Sequence, residues 1–305
     1  MIYTLTMNPS LDYVMAVPDL LPGRVNRTAM EELHPGGKGI NVSIMLTRLG
    51  MENRTLGFLA GFTGAQIEAM LRREGCETAF IRLDEGDSRI NVKIRTDQET
   101  EINARGPAIS SDAVDVLLDR LHLLQNGDTL VLAGSIPGGL PSDMVERILR
   151  LTADKAVRTV VDMTGDSLTR ALPFRPFLIK PNHHELGELF GVEFDGLEPI
   201  QDGARRLQAQ GARNVLVSMA DKGALLLDES GKFHHSVPPQ GRAVSAVGAG
   251  DSMVAGFLVG YARTGDYAMA LKLGIAAGSA TAFSPWLADR AAVCALLDHP
   301  AAYRL

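Results

Sequence analysis

The chain has 305 residues, 46% of them apolar, a formal net charge of −6 and two cysteines. That length and apolar share allow one large α/β domain or two modest ones around a sizeable core, and the acidic balance excludes a general nucleic-acid role while leaving room for a local basic pocket. Cys76 and Cys294, far apart in the chain, carry no disulfide framework and suit a reducing cytosol.

Residues 1–8 read as a first strand, without the basic start and long apolar stretch of a signal peptide. No apolar run reaches the ~18 residues that span a bilayer, so a soluble, cytoplasmic protein with no membrane partner is expected. Asp12, at the end of Asn8-Pro9-Ser10-Leu11-Asp12, could accept hydrogen bonds from sugar hydroxyls or start a turn. Residues 12–17 and 28–34 look like a strand pair joined by a turn. Pro35-Gly36-Gly37-Lys38-Gly39-Ile40-Asn41 then opens a helix that runs to Leu49-Gly50. Ile40, Ile44 and Met45 supply its apolar face, and Lys38 and Asn41, three apart, point the same way. Glycines followed by a lysine suggest main chain meeting a polar ligand at Gly37. A tight strand-to-helix turn with a surface lysine is the plain alternative, and the Walker A spacing is absent.

A second strand pair is expected at 88–96 and 101–104, turning through Asp97-Gln98-Glu99. The run Arg89-Ile90-Asn91-Val92-Lys93-Ile94-Arg95 alternates strictly, which marks a half-buried strand with Arg89, Asn91, Lys93 and Arg95 on the wet face. The two pairs together predict a small β-sheet lid over an edge of the main domain, inserted at about 12–34 and 88–105 of a single domain 1–305. Arg24, Arg27, Arg89 and Lys93 on these segments suggest an anionic substrate, although exposed basic residues are usually only solvated surface.

From residue 110 onward strands and helices alternate. Strands are expected at 129–133, 159–163, 177–180, 215–219 and 224–227, and helices at 112–124, 143–152 and 200–210. That rhythm implies βαβ units and a mainly parallel sheet with helices on both faces. Ser135, in Ala133-Gly134-Ser135-Ile136-Pro137, closes a strand, and ligands gather outside the carboxyl ends of parallel strands. It is a plausible substrate contact and, without a Gly-x-Ser-x-Gly elbow, a poor nucleophile. Lys180-Pro181-Asn182-His183-His184-Glu185 follows another strand. Asn182 and Glu185 have capping-box spacing; alternatively their oxygens serve a hydrated Mg²⁺, an ion that takes few direct protein ligands. The tandem His183-His184 is not a zinc site, because adjacent helical residues point apart.

The C-terminal third is helical, at 251–263, 267–283 and 289–297. Before the first of these helices, Val244-Ser245-Ala246-Val247 ends in Gly248-Ala249-Gly250-Asp251. Met253, Val254, Phe257, Leu258 and Tyr261 recur at helical intervals, so Gly248 to Asp251 lie at a helix N-terminus, where free N–H groups and the helix dipole favour an anion such as phosphate. A carboxylate beside a phosphate makes sense if Asp251 takes a proton from an attacking hydroxyl. Asp as a simple cap is the bland reading.

Gly36-Gly37-Lys38-Gly39-Ile40-Asn41-Val42, Lys180-Pro181-Asn182-x-x-Glu185 and Val247-Gly248-Ala249-Gly250-Asp251, in this order and at these distances, resemble the motifs of the PfkB (ribokinase-like) carbohydrate kinase family. The likeness covers nearly the whole chain. Within the family it is narrower toward kinases of ketohexose monophosphates, through the stretches 4–12, 89–93 and 100–104. The resemblance implies a three-layer α/β/α ribokinase-like domain with a small β-sheet lid, through which a homodimer is expected. It implies ATP and Mg²⁺, Asp251 as catalytic base, and Gly248, Ala249 and Gly250 as the anion hole. Asp12, Gly37, Lys38, Asn41, Arg89 and Ser135 match sugar-phosphate contacts. Asn182, Ser218, Gly223 and Ser279 match the nucleotide side, with Glu185 reaching the metal through water. Ala220 stands where relatives generally show Gly, a cost if that backbone needs positive φ.

The implied reaction is ATP-dependent phosphorylation of fructose 1-phosphate, with tagatose 6-phosphate or fructose 6-phosphate as the other acceptors. A catalytically silent sugar-phosphate sensor would not need the acid at 251. An NAD-dependent dehydrogenase would need Gly-x-Gly-x-x-Gly after the first strand, which is missing.

Overall fold

A computed structural model describes residues 1–96, 99–194 and 196–305, with Glu99 given by its main chain alone. The chain opens with β1 (Ile2–Thr6), β2 (Ser10–Ala16), β3 (Met30–Gly36) and α1 (Lys38–Arg48). A unit that periodicity did not single out follows, β4 (Asn53–Ala60), α2 (Gly61–Arg73), β5 (Glu77–Thr78) and β6 (Ile81–Leu83), before β7 (Arg89–Arg95) and β8 (Glu99–Asn103). The alternating stretch holds α3 (Ser111–His122), β9 (Thr129–Ala133), α4 (Met144–Ala153), β10 (Arg158–Asp162), α5 (Gly165–Ala171), β11 (Leu178–Ile179), α6 (His183–Phe190), α7 (Leu197–Ala209) and β12 (Asn214–Ser218). It closes with β13 (Ala224–Leu227), β14 (Phe233–Ser236), α8 (Ala249–Thr264), α9 (Tyr267–Ala282) and α10 (Arg290–Ala295). No described helix is long and apolar enough to cross a membrane.

Among the described residues the main sheet has ten strands, in the order β14-β13-β12-β11-β10-β9-β1-β4-β5, with β6 beside β4. It is parallel from β12 to β5 and ends in the antiparallel hairpin pairs β12–β13 and β13–β14. The central strand β9, Thr-Leu-Val-Leu-Ala, is buried along its whole length, as expected when helices cover both faces. Leu130 and Leu132 pack on one side with α3, α4 and α7, whereas Val131 packs on the other with α1, α8 and α9. Period-2 alternation thus divides one strand between two cores, and the result is a three-layer α/β/α body. The strand expected at 177–180 shrinks to Leu178–Ile179. Lys180, though 5% exposed, still donates its main-chain N–H to the Val161 carbonyl at 3.3 Å, and its side chain turns to the cleft.

The small sheet runs β3-β2-β7-β8, with β2 parallel to β7 and the outer pairs antiparallel. The turn expected at Asp97-Gln98-Glu99 has residues 97 and 98 outside the described residues, and Glu99 already opens β8. The pairing puts Ser10, Asp12, Arg89, Asn91, Lys93, Glu101 and Asn103 on one face. That face does not meet solvent, as alternation had suggested. It lines the cleft, with Asn91 and Lys93 only 5% and 7% exposed. The apolar face is turned outward, and Leu33, Ile90 and Ile102 are exposed on it.

Candidate active site

Every residue singled out as catalytic, anion-binding, substrate-binding, nucleotide-binding or metal-linked lines one cleft of about 1180 Å³. Its floor is the set of loops at the carboxyl ends of the parallel strands, where such sheets bind ligands, and its roof is the polar face of the small sheet. Arg24 and Arg27 lie elsewhere, exposed in the connection between β2 and β3. Of the expected cationic residues on the roof, Arg89 and Lys93 remain.

Asp251 sits in the first turn of α8, 6% exposed, and its Oδ2 accepts a hydrogen bond from Asn41 Nδ2 at 2.7 Å. Burial, then the like charge of Asp162, push its carboxyl up to about 6, against the pull of Asn41, Lys38 and Lys180. A carboxylate so raised is a better proton acceptor at neutral pH than an exposed one. Gly248 caps the helix in the left-handed region, φ 76, and a Cβ built there would lie 2.6 Å from Leu287 Cδ2, so only glycine fits. The Ala249 amide already donates weakly to the Ala246 carbonyl, at 3.3 Å. Helix geometry leaves the amides of Gly250 and Asp251 as the open donors. Asn41, read from sequence as a sugar contact, lines the same cleft and is also the hydrogen-bond partner of Asp251.

Beside this turn stands a charge cluster that the sequence reading passed over. Asp162, the last residue of β10 and 1% exposed, receives Lys38 Nζ at 3.1 Å and Lys180 Nζ at 3.4 Å on the same oxygen, Oδ1. Its Oδ2 is buried without a partner. Burial opposes the Asp162 charge, but the two ammonium groups more than offset it and hold the carboxyl below its ordinary range. Burial likewise works against Lys38, and the attraction of Asp162, Asp251 and Glu185 raises it nonetheless. Lys180 Nζ lies so near the helix start that a Cβ on Gly250 would come within 3.1 Å of it. Two lysines thus face the glycine turn at the start of α8 on a shared carboxylate. Asp162 was detectable in principle, as an acid closing a parallel strand, but nothing local marks it off from a surface residue.

On the roof, Asp12 Oδ1 accepts from Ser10 Oγ at 2.6 Å and from Asn91 Nδ2 at 3.2 Å, and Lys93 Nζ stands 3.3 Å from Oδ2. Asn91 Oδ1 is buried and unpartnered beside it. Arg89 donates through Nε to the Asn8 carbonyl at 3.0 Å. Burial lowers its pKa despite nearby Asp12, so it gains by meeting an anion. Ser135 lies exposed on the rim, after Gly134.

On the opposite side, Asn182 and Glu185 form a full capping box at the start of α6, each side chain taking the other's main-chain N–H at 2.8 Å. Glu185 engages Oε2 in the cap, which leaves Oε1 as a hard oxygen donor. Ser218 ends β12 and bridges to Asn182, and Ser279 looks in from α9. The loop between Ser218 and Gly223 contains Ala220 at φ 51, the positive φ that a glycine would take more readily.

The family model described as pfkB family carbohydrate kinase matches residues 5–288. The chain is 46% identical over its whole length to the whole of a 1-phosphofructokinase from Bacillus subtilis (strain 168). It is 39% identical to a D-tagatose-1-phosphate kinase from Bacillus licheniformis, covering 95% of each. Among solved structures, phosphofructokinase-2 from Escherichia coli in complex with substrates and products superposes with a TM-score of 0.90 at 29% identity, covering 97% of both chains.

Proposed function

The chain belongs to the pfkB family of carbohydrate kinases, and we propose that it transfers the terminal phosphoryl group of ATP to the free primary hydroxyl of fructose 1-phosphate, giving fructose 1,6-bisphosphate. One observation carries the reading. A buried, proton-accepting Asp251 at a glycine-flanked helix start shares its cleft with two lysines held on Asp162, under a polar roof. The acceptor follows from relatives. The relatives named above, a 1-phosphofructokinase and a D-tagatose-1-phosphate kinase, both take a sugar with its phosphate at carbon 1. Tagatose 1-phosphate, which differs from fructose 1-phosphate only at carbon 4, is therefore the second reading, in place of the 6-phosphates.

In this mechanism the sugar phosphate lies under the small sheet. Arg89 meets its phosphate, and Asp12, Asn91 and Ser135 meet its hydroxyls. Asp251 takes the hydroxyl proton as that oxygen bonds to the γ-phosphorus, and the bond from phosphorus to the β,γ-bridging oxygen breaks to release ADP. The amides at the α8 start, with Lys38 and Lys180, offset charge on the group in flight, so rate enhancement comes from positioning and preset electrostatics. The free oxygen of Glu185, which lines the cleft, would suit a Mg²⁺ that keeps most of its water and takes few protein ligands beside the phosphates. Bound there, Mg²⁺ would neutralise phosphate charge. Asn182, Ser218, Gly223 and Ser279 flank the nucleotide.

A second copy of the chain would cover the outward apolar face of the small sheet, where Leu33, Ile90 and Ile102 are 45%, 39% and 59% exposed. A monomer would leave this patch in water.

The test is ADP release measured in parallel with fructose 1-phosphate, tagatose 1-phosphate, tagatose 6-phosphate, fructose 6-phosphate and ribose, with and without Mg²⁺. Turnover on a ketohexose 1-phosphate, dependent on Mg²⁺, is expected. Turnover confined to a 6-phosphate or to ribose overturns the assignment of the acceptor.

A further inference from the structure

The segment after α9 touches both halves of the cleft. Trp286, the single tryptophan of the chain, stacks on His34 of β3 with ring centroids 4.5 Å apart and planes 15° from parallel. His34 is held by Glu32 Oε2, 3.0 Å from its Nε2, and it is the register partner of Asp12 across β2 and β3. Arg95 of β7 adds a second tie, donating to the Pro285 carbonyl at 3.3 Å. These contacts bind the segment to the roof.

The next residues bind it to the floor. Leu287 is 5% exposed and closes against Gly248, its Cδ2 lying 2.6 Å from where a Cβ on that glycine would stand. The Ala288 amide donates to Thr281 Oγ1 at 3.2 Å, and that hydroxyl lies 2.8 Å from the hydroxyl of Ser252, the neighbour of Asp251. Arg48 of α1 clamps the middle, with its guanidinium 4.9 Å from the Trp286 ring and Nη1 donating to the Leu287 and Ala288 carbonyls at 2.6 and 3.1 Å.

We infer that Trp286 is a positioning residue, which ties the seating of the sugar phosphate against Asp12 to the placement of the Gly248–Asp251 turn. The inference rests on the acceptor lying under the small sheet. A sugar phosphate that shifts Asp12 shifts its register partner His34, and the stacked indole carries the movement to Leu287 and the glycine turn behind it. A misplacement of that turn by a fraction of an ångström matters because phosphoryl transfer depends on aligned donors. The indole also borders a crevice of about 580 Å³ lined by His34, Arg48 and Arg290, so it has room to move and its emission reports its surroundings.

Emission of the wild-type protein is therefore titrated with fructose 1-phosphate, with binding followed by calorimetry on the same samples. A saturable change in tryptophan emission with the midpoint of the heat is expected. Heat without an emission change overturns the inference alone, and absence of heat overturns the acceptor assignment and the inference together. In variants, Trp286→Ala is expected to lower kcat about tenfold with KM for ATP within about twofold, and Trp286→Phe, which can still stack on His34, to recover most of the loss. A Trp286→Ala enzyme with wild-type kcat overturns the inference. Should that variant fail to fold, His34→Ala decides: binding heat retained with the emission response lost supports the coupling, and an unchanged response ends it.

Discussion

The two sheets bury polar groups for opposite purposes. In the main sheet the central strands are largely apolar on both faces, and the charges buried beside the cleft come at carboxyl ends, where Asp162 closes β10 and Lys180 follows β11. Those groups are locked by a core packed from both sides. The small sheet carries its polar groups along its length, and Asn91 and Lys93 both reach Asp12 across β2 and β7, with Asn91 Oδ1 left unpartnered. Its opposite face is apolar and exposed. On the proposed function, chemistry stands on the large sheet and acceptor recognition on the small one, where a polar face can close over a soluble ligand without disturbing a hydrophobic core. Changes on the floor should alter turnover and stability, and changes on the roof should alter acceptor binding.

The largest effect is expected at Asp251. Asp251→Asn should lower kcat by at least the ~10²-fold of a lost general base. Its carboxyl is raised from 3.8 to about 6, so the folded state holds the proton more tightly than the unfolded chain. Ionising it in place costs stability as pH rises from about 4 to 6 and remains a cost above that. Asp251→Asn should then stabilise the protein by up to about 3 kcal/mol above pH 6 and by nothing near pH 3, which thermal melts across pH would show. For the wild type, kcat/KM should rise with pH through about 6. A flat profile from pH 5 to 8 removes the carboxylate from its role.

Next is Asp162→Asn, which leaves Lys38 and Lys180 without their shared counter-charge. Breaking a buried pair from one side costs about 3 kcal/mol, and kcat should fall about 10-fold or more as the lysines lose their places. A variant that melts lower but keeps full kcat would assign the trio to stability alone.

Roof changes should be smaller and of another kind. Asn91→Ala should raise KM for the sugar phosphate about 5- to 10-fold, the value of a hydrogen bond or two, with kcat nearly kept. A loss mainly in kcat would erase the distinction between the sheets. Ile102→Lys, on the outward face, should convert a dimer to monomers in sedimentation, and unaltered sedimentation would move the contact elsewhere. The smallest effect is Ala220→Gly, which relieves a positive φ and should raise stability by up to about 1 kcal/mol.

Much of the site was legible because its parts are local. Gly248 to Asp251, Gly36 to Asn41 and Lys180 to Glu185 each combine a turn with a helix start, and the chemistry of such a unit is written in consecutive residues. Ala220 was legible for the same reason. What escaped was every property set by a distant partner. The tie from Asn41 to Asp251 cannot be read until α8 brings that acid to its amide. Asp162 is one acid among many until two lysines, 124 and 18 residues away, meet on one of its oxygens.

Alternation in residues 89–95 determined that one face would be polar and the other apolar. It could not determine which face met water, because both lie outside the segment itself. The amino-acid order therefore specified most of the elements, the glycine-flanked helix start at Gly248–Asp251 and the chemical class of each candidate site residue. Tertiary structure alone decided the charge state of Asp251, the shared carboxylate beneath the lysines and the direction in which the small sheet faces. Burial and electrostatics depend on what the fold places alongside a group, and those neighbours come from remote parts of the chain.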